Sequence, residues 1–151
     1  MCEQNSIAGE LKAGRTVLVN TRGVSMRPLL RQGQTQVLIA PVSRPVKVGD
    51  LPLVYLRPGL SQLHRVIKTD ENYVYTRGDN CTSSEKVSRK NILGLAVKIY
   101  RGQAEIPMDG FAYRFYTRFW LLSAPVRIPL MILGRKLSGL KRRLPHFVQG
   151  K

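Results

Sequence analysis

Three groups that could together carry out nucleophilic catalysis occur in separate short segments of the chain. A serine hydroxyl is a weak nucleophile until a neighbouring base removes its proton, and a carboxylate can orient that base. The segments are GVSMRPLL (23–30) around Ser25, LHRVI (63–67) around His64 and RGDN (77–80) around Asp79. These residue types, in this order, predict a serine peptidase.

The remaining parts of the predicted site lie beside Ser25. His64 is the expected base because the other histidine, His146, lies in the basic C-terminal tail. The backbone N–H of Ser25 could donate to an oxyanion, and a strand next to it could pair with an extended peptide. Gly23 has no side chain and would let a substrate backbone approach closely. We therefore expect the substrate contacts at Gly23, Val24 and Met26.

Short β-branched and apolar runs, separated by polar turns, must position these residues. The pattern predicts a short helix at 3–13 and strands at 16–20, 36–40, 51–56, 63–68, 73–76 and 93–100, with a turn at 57–59. The predicted strand 63–68 carries His64. Strands of about five residues with short turns indicate a mainly β fold, either a small barrel or a coiled sheet.

The charge of the chain indicates an anionic partner. The 25 Lys and Arg residues, against 9 Asp and Glu, give a formal net charge of +16. Such an excess suits a lipid surface or nucleic acid. Residues 111–151 hold nine basic residues and no acidic one, so the charge is concentrated at the C-terminal end. No helix-turn-helix, zinc or RNA-recognition signature accompanies it, and nucleic acid is therefore not the expected partner.

The character of the chain changes near Pro107. Residues 111–134 are rich in aromatic and aliphatic side chains, but the longest mostly apolar run, Phe119–Leu133, has only 15 residues and contains Arg127. A membrane-spanning helix needs about 20 apolar residues. We therefore expect an amphipathic helical or re-entrant segment on an anionic membrane surface. The predicted parts are an N-terminal arm (1–14), a β catalytic domain (15–106) and a membrane-associating segment (107–151).

The cysteines predict neither a disulfide framework nor a metal site. Cys2 and Cys81 are the two cysteines, and no pattern of further metal ligands accompanies them. Both are expected to be reduced thiols, as in a cytosolic setting. Residues 1–20 contain no apolar core of a secretory signal. The expected location is therefore a membrane surface, peripheral or re-entrant, and otherwise the cytoplasm, and no cofactor is expected.

The order of the motifs resembles that of a known family. GVSMRPLL, VKVGD (46–50), LHRVI, RGDN and the closing ILG (92–94) look like the ordered boxes of the signal peptidase I family and its relatives, the LexA-type self-cleaving repressors. The resemblance covers about residues 16–100. It implies an all-β catalytic fold with a coiled sheet, in which Ser25 is the nucleophile, His64 the general base and Asp79 the acidic partner. Bacterial members usually use lysine as the base, whereas the endoplasmic-reticulum and archaeal type uses histidine, as at His64.

Three functions are compatible with these residues. The leading hypothesis is a serine endopeptidase with a Ser25–His64 dyad assisted by Asp79, which cleaves a leader or signal-type peptide of a preprotein after a small residue. The second is a catalytically silent β-domain that binds a peptide or a membrane partner. The third is a basic protein associated with nucleic acid. The presence of both Ser25 and His64 favours the enzyme, because a silent domain needs neither.

Overall fold

The computed structural model describes the backbone of residues 2–57 and 60–143 and the side chains of residues 7–57 and 60–137. The predicted turn at Pro58-Gly59 and the end of the predicted membrane-associating segment, 144–151 with His146, lie outside the described residues. The side chain of Cys2 also lies outside them. The described chain is mainly β, with one helix before the strands and two helices after them.

The chain begins with helix α1 (Cys2–Lys12) and continues through nine strands. They are β1 (Val17–Asn20), β2 (Thr35–Ala40), β3 (Pro52–Arg57), β4 (Leu60–Leu63), β5 (Arg65–Thr69), β6 (Tyr73–Arg77), β7 (Glu85–Ser88), β8 (Ile92–Arg101) and β9 (Ala104–Pro107). A single 3₁₀ turn (Arg89–Asn91) precedes β8. Helices α2 (Phe111–Leu122) and α3 (Ala124–Arg143) follow.

The strands form two antiparallel sheets. The larger sheet has the order β1-β2-β8-β3-β4, with β9 paired to β8, and curls into a half-barrel that leaves β1 and β4 as its edges. The smaller sheet has the order β5-β6-β7. Alternating side chains produce the buried faces, as in β2, where Val37 and Ile39 are fully buried while Gln36 is exposed.

Two clusters of apolar side chains hold the fold together. The first packs α1 and the segment after Ser25 against the larger sheet, and it includes Leu11, Met26, Leu30, Val37 and Ile99. The second joins the two sheets, because it combines Val54 and Leu95 of the larger sheet with side chains of the smaller one, namely Val66, Val74 and Val87. Burial of the second cluster stabilises the packing of the two sheets against each other.

The predicted strands are found with their ends shifted by one or two residues, with one correction. His64 does not lie in a strand, as the predicted strand 63–68 implied, but between β4 and β5. The physical reason is that β4 pairs with β3 in the larger sheet and β5 pairs with β6 in the smaller one. The chain therefore changes sheets at His64, which places this residue in the interior of the molecule.

The C-terminal segment forms two helices that meet at Ser123. Pro125 lies in the first turn of α3, where its missing N–H is not needed for a helical hydrogen bond, whereas Pro129 lies inside α3. Within residues 2–57 and 60–143, no helix is both long and apolar enough to cross a membrane.

Candidate active site

The segment 23–30, called the serine turn below, is a compact turn anchored in the core. Gly23 has a φ of +82°, a backbone conformation that side chains with a Cβ rarely adopt. The N–H of Arg27 donates to the carbonyl of Val24 at 3.2 Å, which closes the turn around Ser25. Met26 is buried in the larger core cluster, so Ser25 is held half-buried between an exposed and a buried neighbour.

A second loop, residues 78–81, lies directly against the serine turn and is called the site loop below. The backbone N–H of Asn80 donates to the carbonyl of Ser25 at 2.7 Å, and its side-chain amide donates to the carbonyl of Val24 at 3.3 Å. These bonds join segments that are more than fifty residues apart in sequence. The two motifs that the sequence singled out, GVSMRPLL and RGDN, are therefore in contact.

Gly78 lies beside both the serine turn and the ring of His64. A Cβ atom at this position would lie 2.6 Å from the carbonyl oxygen of Ser25, 2.8 Å from Sγ of Cys81 and 3.0 Å from Nε2 of His64. The backbone of Ser25 and the imidazole of His64 thus border the same small space, which a larger residue than glycine would fill. Among the described residues, no hydrogen bond joins the Ser25 hydroxyl to the His64 ring.

The imidazole of His64 is almost fully enclosed, with 5% of the residue exposed. The side-chain Nε2 of Gln62 lies 2.5 Å from its Nδ1 and 2.9 Å from its Nε2, and Glu85 Oε2 is 3.9 Å from Nδ1. Burial lowers the pKa of His64 below its usual value, while the charges of Glu85 and Asp79 oppose this shift. The ring is therefore held in the neutral form that a general base requires.

Asp79 lies in the same loop, but its carboxylate is directed at an arginine. Arg65 binds both carboxylate oxygens at 2.8 Å, and the hydroxyl of Tyr116 donates to Oδ2 at 3.1 Å. Both members of this ion pair are buried, with 1% of Arg65 and 3% of Asp79 exposed. Within the described chain, no hydrogen bond joins Asp79 to His64. Glu85, on β7, is the carboxylate that approaches the imidazole.

Helix α2 closes over this ion pair. The remaining guanidinium nitrogen of Arg65, Nη1, donates to the hydroxyls of Tyr113 and Thr117 at 3.1 and 2.9 Å and to the carbonyl of Gly49 at 3.2 Å. Burial is the largest single effect and would lower the pKa of Arg65, but its hydrogen bonds to Asp79 and Tyr113 and its charge interactions with both residues together outweigh burial and raise the pKa. Arg65 is therefore permanently charged and fully paired within the fold.

Sequence reasoning missed this buried cluster and the role of Gln62. Arg65 directly follows His64 in sequence, and Asp79 directly follows Gly78. The ion pair between Arg65 and Asp79 therefore holds His64 and Gly78 close to each other. The contact of α2 with Arg65 was not predicted, because Tyr113 and Thr117 belong to a segment whose composition indicated a membrane surface. The spacing of four residues between Tyr113 and Thr117, which places both on one face of a helix, was the sign in the sequence that this face could meet other parts of the protein.

A cleft of about 420 Å³ leads to Ser25. It is lined by both edge strands of the half-barrel, β1 and β4, and by the serine turn, from which Gly23, Ser25 and Met26 contribute. Of the three residues expected to contact substrate, Val24 is exposed outside the cleft lining and offers its carbonyl to Arg27 and Asn80 instead. The cleft thus has residues of both edge strands and Ser25 in its lining.

No cluster of His, Cys, Asp and Glu side chains that could hold a metal ion occurs among the described residues. Comparisons with protein-family models, with curated protein sequences and with solved structures each find no match for this chain. The resemblance to signal peptidase I therefore stays an expectation that rests on the sequence motifs.

Proposed function

We propose that this protein is a serine endopeptidase of signal-peptidase-like type, with Ser25 as nucleophile and His64 as general base. The observation that carries the proposal is that the backbone of Ser25 and the ring of His64 both lie against Gly78, and that Ser25 lines a cleft between two strand edges. We also propose that the fold is of the signal peptidase and LexA type, with which the curled sheet is compatible.

The proposed reaction begins when His64 takes the proton of the Ser25 hydroxyl as Oγ attacks a peptide carbonyl. The N–H of Ser25, which donates no hydrogen bond in the described part of the chain, is then available to the oxyanion. The tetrahedral intermediate collapses as His64 returns the proton to the leaving amine, and water hydrolyses the acyl-enzyme in the same way. Because the amide of Gln62 lies against both ring nitrogens, it must leave one of them before Ser25 can use it.

Asp79 enters this mechanism as a positioning residue. Its ion pair with Arg65 fixes the site loop, and the site loop holds the carbonyl of Ser25 through Asn80. The charge of Asp79 also favours the imidazolium that forms during proton transfer, since it raises the pKa of His64 against the effect of burial.

The proposed substrate is an extended leader or signal-type peptide with a small residue before the scissile bond. An extended chain in the cleft could pair with the free edge of β1 or of β4, which gives backbone hydrogen bonds independent of sequence. The preference for a small residue follows from the family resemblance alone.

A pool of synthetic leader-type peptides, analysed by mass spectrometry, tests this proposal. The wild-type protein should produce discrete cuts, while Ser25→Ala and His64→Ala should each abolish them, and the double variant should be no worse because the two residues act as one unit. Cuts that persist in Ser25→Ala at the wild-type rate would exclude Ser25 as the nucleophile.

A second candidate is a catalytically silent domain that binds a peptide in the same cleft. The contact of Gln62 with both nitrogens of the imidazole favours this alternative, because it occupies the atom that catalysis needs. Fluorescence anisotropy of labelled leader peptides separates the two. If the domain is silent, the wild-type protein should bind the peptides and leave them uncut. If it is an enzyme, the wild type should cut them, and only Ser25→Ala should bind them without cutting.

A further inference from the structure

Helices α2 and α3 carry a row of large apolar side chains that are mostly exposed to solvent. The row recurs every three or four residues, so that it lies on one helical face. Each of its members is more than half exposed: Phe111, Phe115, Phe119, Leu122, Val126, Leu130, Leu133 and Leu137. These eight residues are called the outer row below. An exposed apolar surface of this extent marks an interaction site.

The outer row is continuous from one helix to the next. Phe119 of α2 and Val126 and Leu130 of α3 line a single surface groove of about 450 Å³ at the junction of the helices. Leu122 and Val126 lie four residues apart on either side of Ser123, so the spacing of the outer row continues from α2 into α3. The two helices therefore present one apolar surface.

Other side chains of the same helices bind residues around the candidate site, and one of them, Arg127, also borders the groove at the helix junction. On α2, Tyr113 and Thr117 bind Arg65. On α3, Nη1 of Arg127 donates to the carbonyl of Asp79 and Nη2 of Arg135 donates to the carbonyl of Asn80, each at 2.7 Å. The helices cannot turn the outer row inward without breaking these bonds, so the row is fixed on the outside.

The charge beside the outer row has one sign. Arg114, Arg118 and Lys136 are exposed on the same helices, and residues 111–151 contain no acidic side chain. A face that combines apolar insertion with unopposed positive charge is complementary to a lipid bilayer that contains anionic headgroups. Nucleic acid would satisfy the charge but would leave the phenylalanine and leucine side chains in water.

We propose that the outer row is a docking surface for an anionic bilayer, on which α2 and α3 lie in the plane of the interface. The inner face of α3 contacts the site loop, and docking therefore places Ser25 beside the membrane surface. The proposal does not depend on peptidase activity, because it rests on the exposed row and its charge alone.

Co-sedimentation of the full chain with vesicles tests this surface. One set of vesicles contains phosphatidylcholine with phosphatidylglycerol, and a second contains phosphatidylcholine only. The row variant replaces three exposed side chains, Phe115→Ser, Leu122→Ser and Val126→Ser. The matched control replaces three exposed valines on the β domain, Val42→Ser, Val48→Ser and Val97→Ser.

The wild type and the control should bind the anionic vesicles equally, and the row variant should bind at least about tenfold more weakly. Omitting phosphatidylglycerol, or adding salt, should weaken binding without eliminating it. If the triple row variant does not fold, as judged by circular dichroism, Leu122→Ser alone serves in its place, with a loss of several-fold expected.

Three results would overturn the proposal. The first is equal binding of vesicles by the row variant and the wild type. The second is binding to duplex nucleic acid without binding to anionic vesicles. The third is a dimer in sedimentation equilibrium that the row substitutions dissociate, combined with no vesicle binding, which would identify a second copy of the chain as the occupant of the row.

Discussion

At the scale of single residues, the candidate site contains a buried histidine whose pKa is lowered by burial. His64 is enclosed because the chain passes there from one sheet to the other. A carboxylate close to an imidazole raises its pKa. At His64 the pKa is nevertheless lowered, because desolvation of the ring is a larger effect than the charges of Glu85 and Asp79, and Asp79 is bound to Arg65.

The pH dependence of cleavage should report this environment. The base must be neutral, so the rate rises as the pH increases through the pKa of His64. Because that pKa is lowered, the half-maximal rate should lie below the unperturbed histidine value of about 6.5. The kcat/KM profile of the free enzyme measures it. A half-maximal rate above about pH 7.5 would show that a different group, or an exposed histidine, acts as the base.

Gly78 should tolerate no side chain. In Gly78→Ala, the new Cβ would overlap the carbonyl oxygen of Ser25 and crowd Nε2 of His64, so the site loop must shift away. A shift of about 1 Å at a catalytic pair is expected to reduce kcat/KM about 100-fold. Gly9→Ala is the matched control, because a Cβ there meets nothing within 4 Å. Equal activity of both variants would show that the two residues do not meet at Gly78.

At the scale of elements, the buried Arg65–Asp79 pair connects three parts of the fold. Arg65 begins β5, Asp79 lies in the site loop, and the hydroxyls of Tyr113 and Thr117 come from α2. A buried charge that loses its partner is costly, whereas an apolar replacement of both partners costs much less. The pair is therefore a sensitive point for stability as well as for the position of Ser25.

Removing one partner should destabilise the protein more than removing both. Asp79→Leu leaves the Arg65 guanidinium buried without its carboxylate and should lower the free energy of unfolding by about 3–5 kcal/mol. Arg65→Met combined with Asp79→Leu should recover part of that loss. Urea denaturation followed by circular dichroism gives both values. Additive losses in the double variant would mean that the two charges do not compensate each other in the fold.

The elements also show what could be predicted from sequence. Strands β2, β3, β6 and β8 follow from short runs of β-branched, aliphatic and aromatic residues. Strand β7 was missed because Glu85 and Lys86 are exposed and carry no apolar signal. The contact between the serine turn and the site loop was expected from motif order. The partner of Asp79 was not, because tertiary packing of β5, the site loop and α2 decides it.

At the scale of the whole molecule, the C-terminal helices are hydrogen-bonded to residues around the candidate site. The sequence predicts that residues 15–106 form a catalytic domain and residues 107–151 a separate membrane-associating segment. In the structure, α2 supplies two hydrogen bonds to Arg65, and α3 supplies hydrogen bonds to the carbonyls of the site loop. The same two helices carry the outer row, so the proposed membrane surface and the proposed active site share one scaffold.

Truncation should therefore impair the β domain itself. A chain that ends at Gly110 loses both hydroxyl partners of Arg65 and exposes the ion pair, which should lower the free energy of unfolding by about 3 kcal/mol or more. A chain that ends at Arg143 keeps α2 and α3 and is the control. Guanidinium denaturation measures both. A chain ending at Gly110 as stable as the control would mean that the helices only rest on the domain.

Covalent labelling of Ser25 tests the central claim most directly, because it needs no knowledge of the substrate. In a fluorophosphonate probe, an activated serine Oγ displaces fluoride from phosphorus and forms a stable phosphonate ester, while the base takes the proton. Mass spectrometry of the labelled full chain should find the adduct on Ser25. Labelling of His64→Gln should be at least about 100-fold slower, in line with the contribution of a general base. Labelling that misses Ser25, or that proceeds equally fast in His64→Gln, would contradict a Ser25–His64 catalytic unit.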